Sequence, residues 1–203
     1  MEILVLFDSK GGHVYKLAVA VAEGVEQAQD VKARIRRVKE TTPMEVIRSN
    51  AQWSEFYDWK TANIQEATLD DIAECEGLVM GCPTRYGNVT PALGNFLECT
   101  GPLWATGALI GKAAGVFTST ATMHGGQEAT LLTMIIPLMH LGYIIVPVGY
   151  TSSAVQQTIW GGTPYGASNV SGSAGDHWPD ELELTIARTL GCRVADTAKK
   201  LRG

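Results

Sequence analysis

The sequence lacks a basic segment. Its 16 lysines and arginines are outnumbered by 21 aspartates and glutamates, which gives a formal net charge of -5, and they form no long run. Proteins that bind nucleic acid usually present a concentrated basic surface to the phosphate backbone. We therefore expect no nucleic-acid partner for this chain.

Long apolar runs and paired cysteines are also missing. No apolar run reaches the roughly 18 residues that a bilayer-spanning helix needs, and the first residues lack the pattern of a secretory signal peptide. No CxxC spacing occurs among the four cysteines, Cys75, Cys82, Cys99 and Cys192, and no spacing of histidine, cysteine and carboxylate suggests a metal site. These absences predict a cytoplasmic protein without membrane insertion, disulfides or a metal.

Two familiar phosphate-binding fingerprints are absent as well. The chain contains no G-x-G, so the dinucleotide-binding G-x-G-x-x-G motif is excluded. The glycine pair in "GGHVYK" is not followed by the GK[ST] ending of a Walker loop. Any phosphate site near the first glycines must therefore be of another kind.

Short apolar runs are what the chain does contain. With 203 residues and 45% hydrophobic residues, it has enough apolar material for one domain over residues 1–203. Near-continuous apolar runs are typical of strands buried on both faces, and an alternating run is typical of an edge strand. The sequence predicts four buried strands, Ile3 to Phe7, Gly77 to Gly81, Ala113 to Ser119 and Tyr143 to Val148, and one edge strand, Val31 to Val38.

Helical patterns alternate with these strands, at about Val14 to Gln29, Pro91 to Cys99, Gly126 to Leu141 and Pro179 to Leu201. Such alternation predicts an α/β fold, a doubly wound five-stranded parallel sheet with helices on both faces. Two long stretches do not fit it, Ile47 to Gln65 and Gln156 to Pro179. Loops of this length in one domain are usually functional or interfacial.

A glycine pair follows the first predicted strand. A flexible turn before a helix can bind phosphate through free backbone N–H groups, and one terminal phosphomonoester would suit this turn. The alternative is that Gly11 and Gly12 only make a tight connection between strand and helix. The candidate loop comprises Ser9, Lys10, Gly11, Gly12, His13 and Val14.

The segments after the third and fourth strands are also rich in hydroxyl groups and glycine, Cys82 to Asn88 and Thr118 to Glu128. In a doubly wound sheet, ligands bind beyond the carboxyl ends of the strands, where these loops should converge with the first. One loop would then bind a phosphate, and two would enclose a flat heteroaromatic ring. Flavin mononucleotide (FMN) has this shape.

Five motifs in order, "SKGGHV", "PTRYGN", "LWATGAL", "STATMHGGQE" and "GGTPYGA", cover nearly the whole chain. Together they resemble the WrbA family of flavodoxin-like NAD(P)H:quinone oxidoreductases. The resemblance implies a flavodoxin-like sheet of order 2-1-3-4-5, bound FMN and a homotetramer. It also implies two-electron transfer from a nicotinamide dinucleotide, NADH or NADPH, to a small-molecule quinone.

The resemblance also implies site residues. The FMN phosphate would be held by the loop from Ser9 to Val14. One side of the flavin ring would be lined by Pro83, Thr84, Arg85, Tyr86, Gly87 and Asn88. The other edge and the ribityl chain would be lined by Thr118, Ser119, Thr120, Ala121, Thr122, Gly125 and Gly126. Trp104 would lie over the substrate pocket and His140 would contact the flavin.

Each of these assignments has a plainer alternative. Arg85 could pair with a surface carboxylate, and Trp104 could be an ordinary core or interface aromatic. His140 could be a histidine at a helix C-terminus, because Leu141 stands where the family commonly has a second histidine. The hydroxyl groups after the fourth strand could cap a helix, namely Thr118, Ser119 and Thr120.

One further position departs from the family. Gly11 stands where many members have an aromatic residue associated with the nicotinamide cofactor, and a glycine cannot stack. The FMN site needs only backbone donors and should be unaffected, whereas nicotinamide binding should change. No catalytic acid or base is expected, because the flavin carries the hydride chemistry.

Two classes of function follow. The first is an FMN-dependent quinone oxidoreductase working by a ping-pong mechanism, with both irregular stretches completing the pocket between subunits. The second is a flavodoxin-type electron carrier that binds redox partner proteins. Such carriers are typically strongly acidic monomers, whereas this chain is mildly acidic and has two long irregular stretches.

Overall fold

A parallel sheet organises the chain in the computed structural model, which describes residues 1–203. Its strands are β1 (Glu2–Phe7), β2 (Lys32–Arg37), β3 (Gly77–Pro83), β4 (Ala113–Thr120), β5 (Ile144–Ile145) and β6 (Ala167–Val170). Their order is β2-β1-β3-β4-β5, and β6 also pairs with β4. The predicted flavodoxin-like order is therefore confirmed, with one extra strand.

The extra strand arises because the edge beyond β4 is formed in two pieces. Only Ile144 and Ile145 of the predicted strand Tyr143 to Val148 pair with β4. The Val146 amide still donates to the carbonyl oxygen of Ala114 (2.8 Å), but the next residue is Pro147, and proline has no N–H to donate to a strand ladder. The chain leaves the sheet and returns as β6, where Ala167 pairs with Phe117. The stretch Gln156 to Pro179 is thus not irregular throughout.

Eight helices lie between the strands, and a ninth follows the last strand. They are α1 (His13–Glu26), α2 (Met44–Arg48), α3 (Ala51–Asn63), α4 (Leu69–Glu74), α5 (Pro91–Glu98), α6 (Gly101–Thr106), α7 (Gln127–His140), α8 (Ala154–Gln157) and α9 (Glu181–Arg202). The four predicted helices correspond to α1, α5, α7 and α9. None of the nine combines the length and the hydropathy that crossing a bilayer requires.

The interpretation of Ile47 to Gln65 as irregular was wrong, because α3 occupies most of it. The Asn50 side chain accepts a hydrogen bond from the Trp53 amide (3.0 Å) and caps the helix N-terminus. Tyr15 of α1 packs against the ring of Trp59, with centroids 5.0 Å apart. Contacts between aromatic rings thus hold α3 beside the first helix.

Alternate side chains of β1 build two cores, as expected for a strand covered on both faces. Ile3, Val5 and Phe7 pack in a cluster with residues of α1 and α9. Leu4 and Leu6 pack in a second cluster with residues of α4, α5 and α7. All five side chains are fully buried.

Helices α1 and α9 touch through their backbones at two glycines. A Cβ on Gly24 would lie 2.0 Å from the carbonyl oxygen of Arg188, and one on Gly191 would lie 2.0 Å from that of Val21. Only glycine allows so close an approach. Helix α1, which follows the loop after β1, therefore packs directly against α9.

Candidate functional site

The carboxyl ends of β1, β3 and β4 border one cavity of about 310 Å³, a size that suits a small ligand or cofactor. It is lined by Ser9, Lys10, Gly11, His13, Val14, Asn50, Gln52, Trp53, Pro83, Thr84, Arg85, Ser119, Thr120, Ala121 and the segment 171–175. All three loops that the sequence suggested for a ligand site contribute to this wall. Their predicted convergence is visible in the fold.

The loop between β1 and α1 presents unpaired backbone donors. The amides of Lys10, Gly11, His13 and Val14 donate to no acceptor within the chain, whereas the Gly12 amide donates to Ser9 Oγ (3.2 Å). The N-terminus of α1 adds the positive end of the helix dipole. This arrangement suits an anion with several oxygen atoms.

Gly12 adopts a left-handed backbone, with φ of 100°, immediately before α1. A Cβ there would lie 3.1 Å from the Trp178 ring and 3.4 Å from that of Phe56. The Trp178 ring also stacks on His13, with centroids 4.3 Å apart. Burial lowers the pKa of His13, which favours its neutral form. Gly12 thus contributes to loop geometry rather than to the cavity lining.

A tight turn follows β3. Arg85 and Asn88 exchange backbone hydrogen bonds of 2.9 and 3.0 Å around Tyr86 and Gly87, both of which have positive φ. The Tyr86 side chain is fully exposed, and a left-handed tyrosine is an uncommon, strained conformation. The turn therefore directs the Tyr86 ring away from the first cavity.

The Arg85 guanidinium forms no ion pair with a carboxylate; its Nη1 donates to the carbonyl oxygen of Thr84 (2.8 Å). The alternative that Arg85 pairs with a surface carboxylate is therefore not observed. Arg85 lines the first cavity and also a neighbouring cavity of about 590 Å³, shared with Lys10 and Trp53. Tyr86 and Asn88 line only this second cavity.

The hydroxyl groups at the end of β4 stabilise the edge of the sheet. Thr118 Oγ1 donates to the carbonyl oxygen of Cys82 (2.7 Å) and Thr120 Oγ1 to that of Thr122 (2.9 Å). Ser119 Oγ donates to Asn169 Oδ1 (2.9 Å). None of the three caps a helix. Ser119 and Thr120 reach the first cavity, whereas Thr118 is buried beside it.

Several predicted residues do not line either cavity. Gly126 approaches the β3 turn closely, since a Cβ there would lie 3.2 Å from Gly87 Cα. Trp104 on α6 and His140 at the end of α7 are exposed. Also outside both linings are Gly12, Gly87, Thr118, Thr122 and Gly125. In a single chain, therefore, Trp104 and His140 do not reach the site.

Both irregular stretches were expected to complete the pocket from neighbouring subunits, whereas in the structure they already line the cavity within one chain. Asn50, Gln52 and Trp53 come from the start of α3, and a second wall comes from residues 171–175 after β6. Helix α3 could have been predicted from the sequence, because Asn50 is followed by ring-bearing residues at helical spacing. Residues 171–175 gave no such signal, because a run of small residues is compatible with many loops.

Four buried charged side chains lie behind the first loop. Lys10 Nζ forms ion pairs with Glu40 and with Asp8 (3.4 Å), and Lys60 Nζ lies 3.1 Å from Glu40 Oε2. Burial alone would raise the pKa of Glu40. Hydrogen bonds from Lys10 and the Thr42 amide and the charge of Lys60 outweigh burial and lower it to about 2.

Glu183 anchors the wall after β6. It is fully buried and accepts hydrogen bonds from the amides of Gly161, Val170 and Asp180 and from Asn169 Nδ2, at 2.8 to 3.1 Å. His177, Asp180 and Glu183 place nitrogen and oxygen atoms within 4.8 Å of one another. The Glu183 oxygens are engaged by these donors, so this cluster organises the start of α9.

Comparisons with known proteins agree with this arrangement. The family model for NADPH-dependent FMN reductase matches residues 1–158. A "NAD(P)H dehydrogenase (quinone)" from Geobacter metallireducens is 42% identical over 205 residues, covering all of both chains. One of the same description from Chromohalobacter salexigens is 45% identical over 207 residues, covering 100% of this chain and 99% of that protein. The solved structure of a flavodoxin, WrbA-like protein from Agrobacterium tumefaciens has a TM-score of 0.67 and 21% identity, covering 98% of each chain.

Proposed function

Since the chain belongs to the NADPH-dependent FMN reductase family, we propose that it is an FMN-dependent NAD(P)H:quinone oxidoreductase of the WrbA type. Relatives 42 to 45% identical over essentially the whole chain are described as NAD(P)H dehydrogenases of quinones. Their description supports both the electron donor and the class of acceptor.

The observation that carries the proposal is the set of unpaired amides between β1 and α1. The amides of Lys10, Gly11, His13 and Val14 surround the helix N-terminus, and they suit the terminal phosphomonoester of FMN. The adjoining lining from β3 and β4 suits the ribityl chain and the ring. The residues present therefore fit this cofactor.

FMN, when bound, supplies the hydride transfer between nicotinamide and quinone. The chain's own residues would hold the cofactor and shape the space next to it. Arg85, free of carboxylates, would place positive charge beside the ring. Ser119, whose hydroxyl is held by Asn169, would form the opposite wall. Both substrates would use the same open side in turn, a ping-pong sequence.

Gly11 offers the nicotinamide dinucleotide no aromatic surface, so such a surface would have to come from another residue. The Gln52 side chain covers Gly11, since a Cβ there would lie 3.1 Å from Gln52 Cδ. Trp53, the next residue, borders both cavities. We propose that Trp53 provides the flat apolar contact that Gly11 lacks.

The test is the flavin absorbance at about 450 nm of FMN-loaded protein under anaerobic conditions. We expect NADH or NADPH to bleach this band and benzoquinone to restore it, because both half-reactions belong to the proposed cycle. FMN binding without bleaching by either nucleotide would contradict the proposal and favour the electron carrier. Absence of FMN binding would contradict both.

We also propose a homotetramer in the cytoplasm. Large apolar side chains are exposed near the two residues that do not reach the site within one chain, Trp104 and His140; these side chains are Ile110, Leu132, Ile136, Met139 and Ile144. Exposed apolar side chains of this kind favour association between copies, and association would let Trp104 and His140 approach a neighbour's flavin. Four unpaired cysteines are compatible with a reducing compartment.

The oligomer is tested by light scattering of FMN-loaded protein at micromolar concentration. We expect a mass four times that of the 21.8 kDa chain. Ile136→Asp should lower the mass, because it buries a charge in the proposed contact. Leu201→Asp, an exposed apolar position at the end of α9, is the matched control and should leave it unchanged. A monomeric wild type would refute the tetramer.

A further inference from the structure

We propose that Lys60 of α3 is a positioning residue that orients the phosphate loop, the segment Ser9 to Val14 proposed to bind the FMN phosphate, and confers preference for FMN over riboflavin. The inference rests on the proposed function, because it concerns the phosphate end of the same cofactor. It assigns a role to a helix that contributes nothing to the sheet and lies outside the motifs of the resemblance.

The Lys60 ammonium lies directly behind the loop. Its Nζ donates to the carbonyl oxygen of Ser9 (2.8 Å) and lies 3.1 Å from Glu40 Oε2. Lys60 is 2% exposed and does not line the first cavity. The charge is therefore held on the far side of the loop from the ligand space.

Peptide geometry links this contact to the cavity. In a trans peptide the C=O and the following N–H point in opposite directions. Fixing the Ser9 oxygen on Lys60 therefore turns the Lys10 amide away from Lys60, and this amide is one of the unpaired donors. A charged donor on the carbonyl also polarises the peptide and strengthens its N–H as a donor.

Charge in the loop itself supports the same role. Lys10 is the loop's own cation, but its ammonium is paired with Glu40 and Asp8. Lys60 adds a second ammonium to this pair of carboxylates, so the buried group as a whole has no net charge. Without Lys60 the two carboxylates would outnumber the cations behind a site for a phosphate anion.

Stability gives no sufficient reason for burying Lys60. Replacing buried ion pairs by apolar residues of similar size is often neutral or stabilising. Its Nζ lies 5.9 and 5.8 Å from the ring centroids of Phe56 and Tyr57 on the same helix. Burial lowers the pKa of Lys60, an effect that Asp8 and Glu40 counteract. These contacts hold the ammonium at the Ser9 carbonyl.

The test is titration of the flavin-free full-length chain with FMN and with riboflavin, followed by flavin fluorescence. For Lys60→Met we expect the Kd for FMN to rise about tenfold or more, the usual scale for a charge-assisted hydrogen bond. The Kd for riboflavin should stay within about twofold, since riboflavin lacks the phosphate. The measured quantity is therefore the ratio of the two Kd values.

Two control variants separate positioning from other effects. Lys39→Met removes the same charge from an exposed position next to Glu40, and it should leave the ratio unchanged. Glu40→Gln removes the charge of the ion pairs but leaves the Ser9 carbonyl as an acceptor for Lys60, so we expect FMN binding not to weaken even if the fold does. Thermal unfolding of each flavin-free variant reports stability independently.

Equal loss of FMN and riboflavin binding in Lys60→Met would overturn the inference, because a loosened fold would explain it. An equal effect of Lys39→Met would also overturn it, since net charge alone would then act. If Lys60→Met does not fold, Lys60→Gln takes its place and the same ratio decides. A wild type that binds no FMN would refute the proposed function, whereas an unchanged ratio in the variant would refute only this inference.

Discussion

Gly12→Val is expected to weaken FMN binding by about 100-fold. A β-branched residue at a φ of 100° is strained by roughly 1–2 kcal/mol or more. Its Cβ would also lie 3.1 Å from the Trp178 ring, so the ring that stacks on His13 must move. Together the two effects amount to about 3 kcal/mol. The flavin-free loop would escape them by changing conformation, and FMN binding would have to restore the original one. Titration of the flavin-free protein by flavin fluorescence measures the change.

Gly101→Ala is the matched control for this substitution. A Cβ at Gly101 would have no heavy atom within 4 Å, and the residue lies at the start of α6 without a positive φ. Its FMN affinity should equal that of the wild type. If Gly12→Val bound FMN as tightly as Gly101→Ala does, the β1–α1 loop would not be the phosphate site.

Glu183→Leu is expected to lower the free energy of unfolding by about 3–5 kcal/mol. The substitution leaves four donors without an acceptor, the amides of Gly161, Val170 and Asp180 and the side chain of Asn169. Each unsatisfied buried donor costs about 1–3 kcal/mol, and partial access of water reduces the sum. Urea unfolding followed by circular dichroism measures the loss.

The same variant should weaken FMN binding, because Asn169 links Glu183 to Ser119 in the cavity wall. Glu181→Leu is the control. Its side chain is 75% exposed and pairs with Arg188 at the surface, so its cost should stay under about 1 kcal/mol. Equal stabilities of Glu183→Leu and Glu181→Leu would contradict the anchoring role of Glu183.

The parts of the fold that were predicted correctly are those with local causes. Ile3 to Phe7 is a run of apolar residues in a strand covered on both faces, so burial alone identifies it. The tight turns after β1 and β3 contain the glycines that a positive φ requires, Gly12 and Gly87. Local patterns of this kind also located the three loops of the candidate site.

The parts that were missed depend on contacts between distant residues. Helix α3 carries polar residues on much of its surface, and its ordering depends on packing of Trp59 against Tyr15. The second part of the sheet edge, β6, is separated from β5 by Pro147 and a long detour. Residues 171–175 reach the cavity because Val170, just before them, pairs with β4 and donates its amide to Glu183 of α9. None of these causes is visible within a short window of sequence.

The contact of α1 with α9 at Gly24 and Gly191 has a consequence for protein synthesis. The loop between β1 and α1 is complete once residue 14 has been made, but the helix that supports it acquires its closest packing partner only from residues 181–202. A ribosome-bound chain that ends before α9 exposes the apolar face of α1 to water. We therefore expect flavin uptake to follow the synthesis of α9, so that a chain made without FMN would fold before it binds the cofactor.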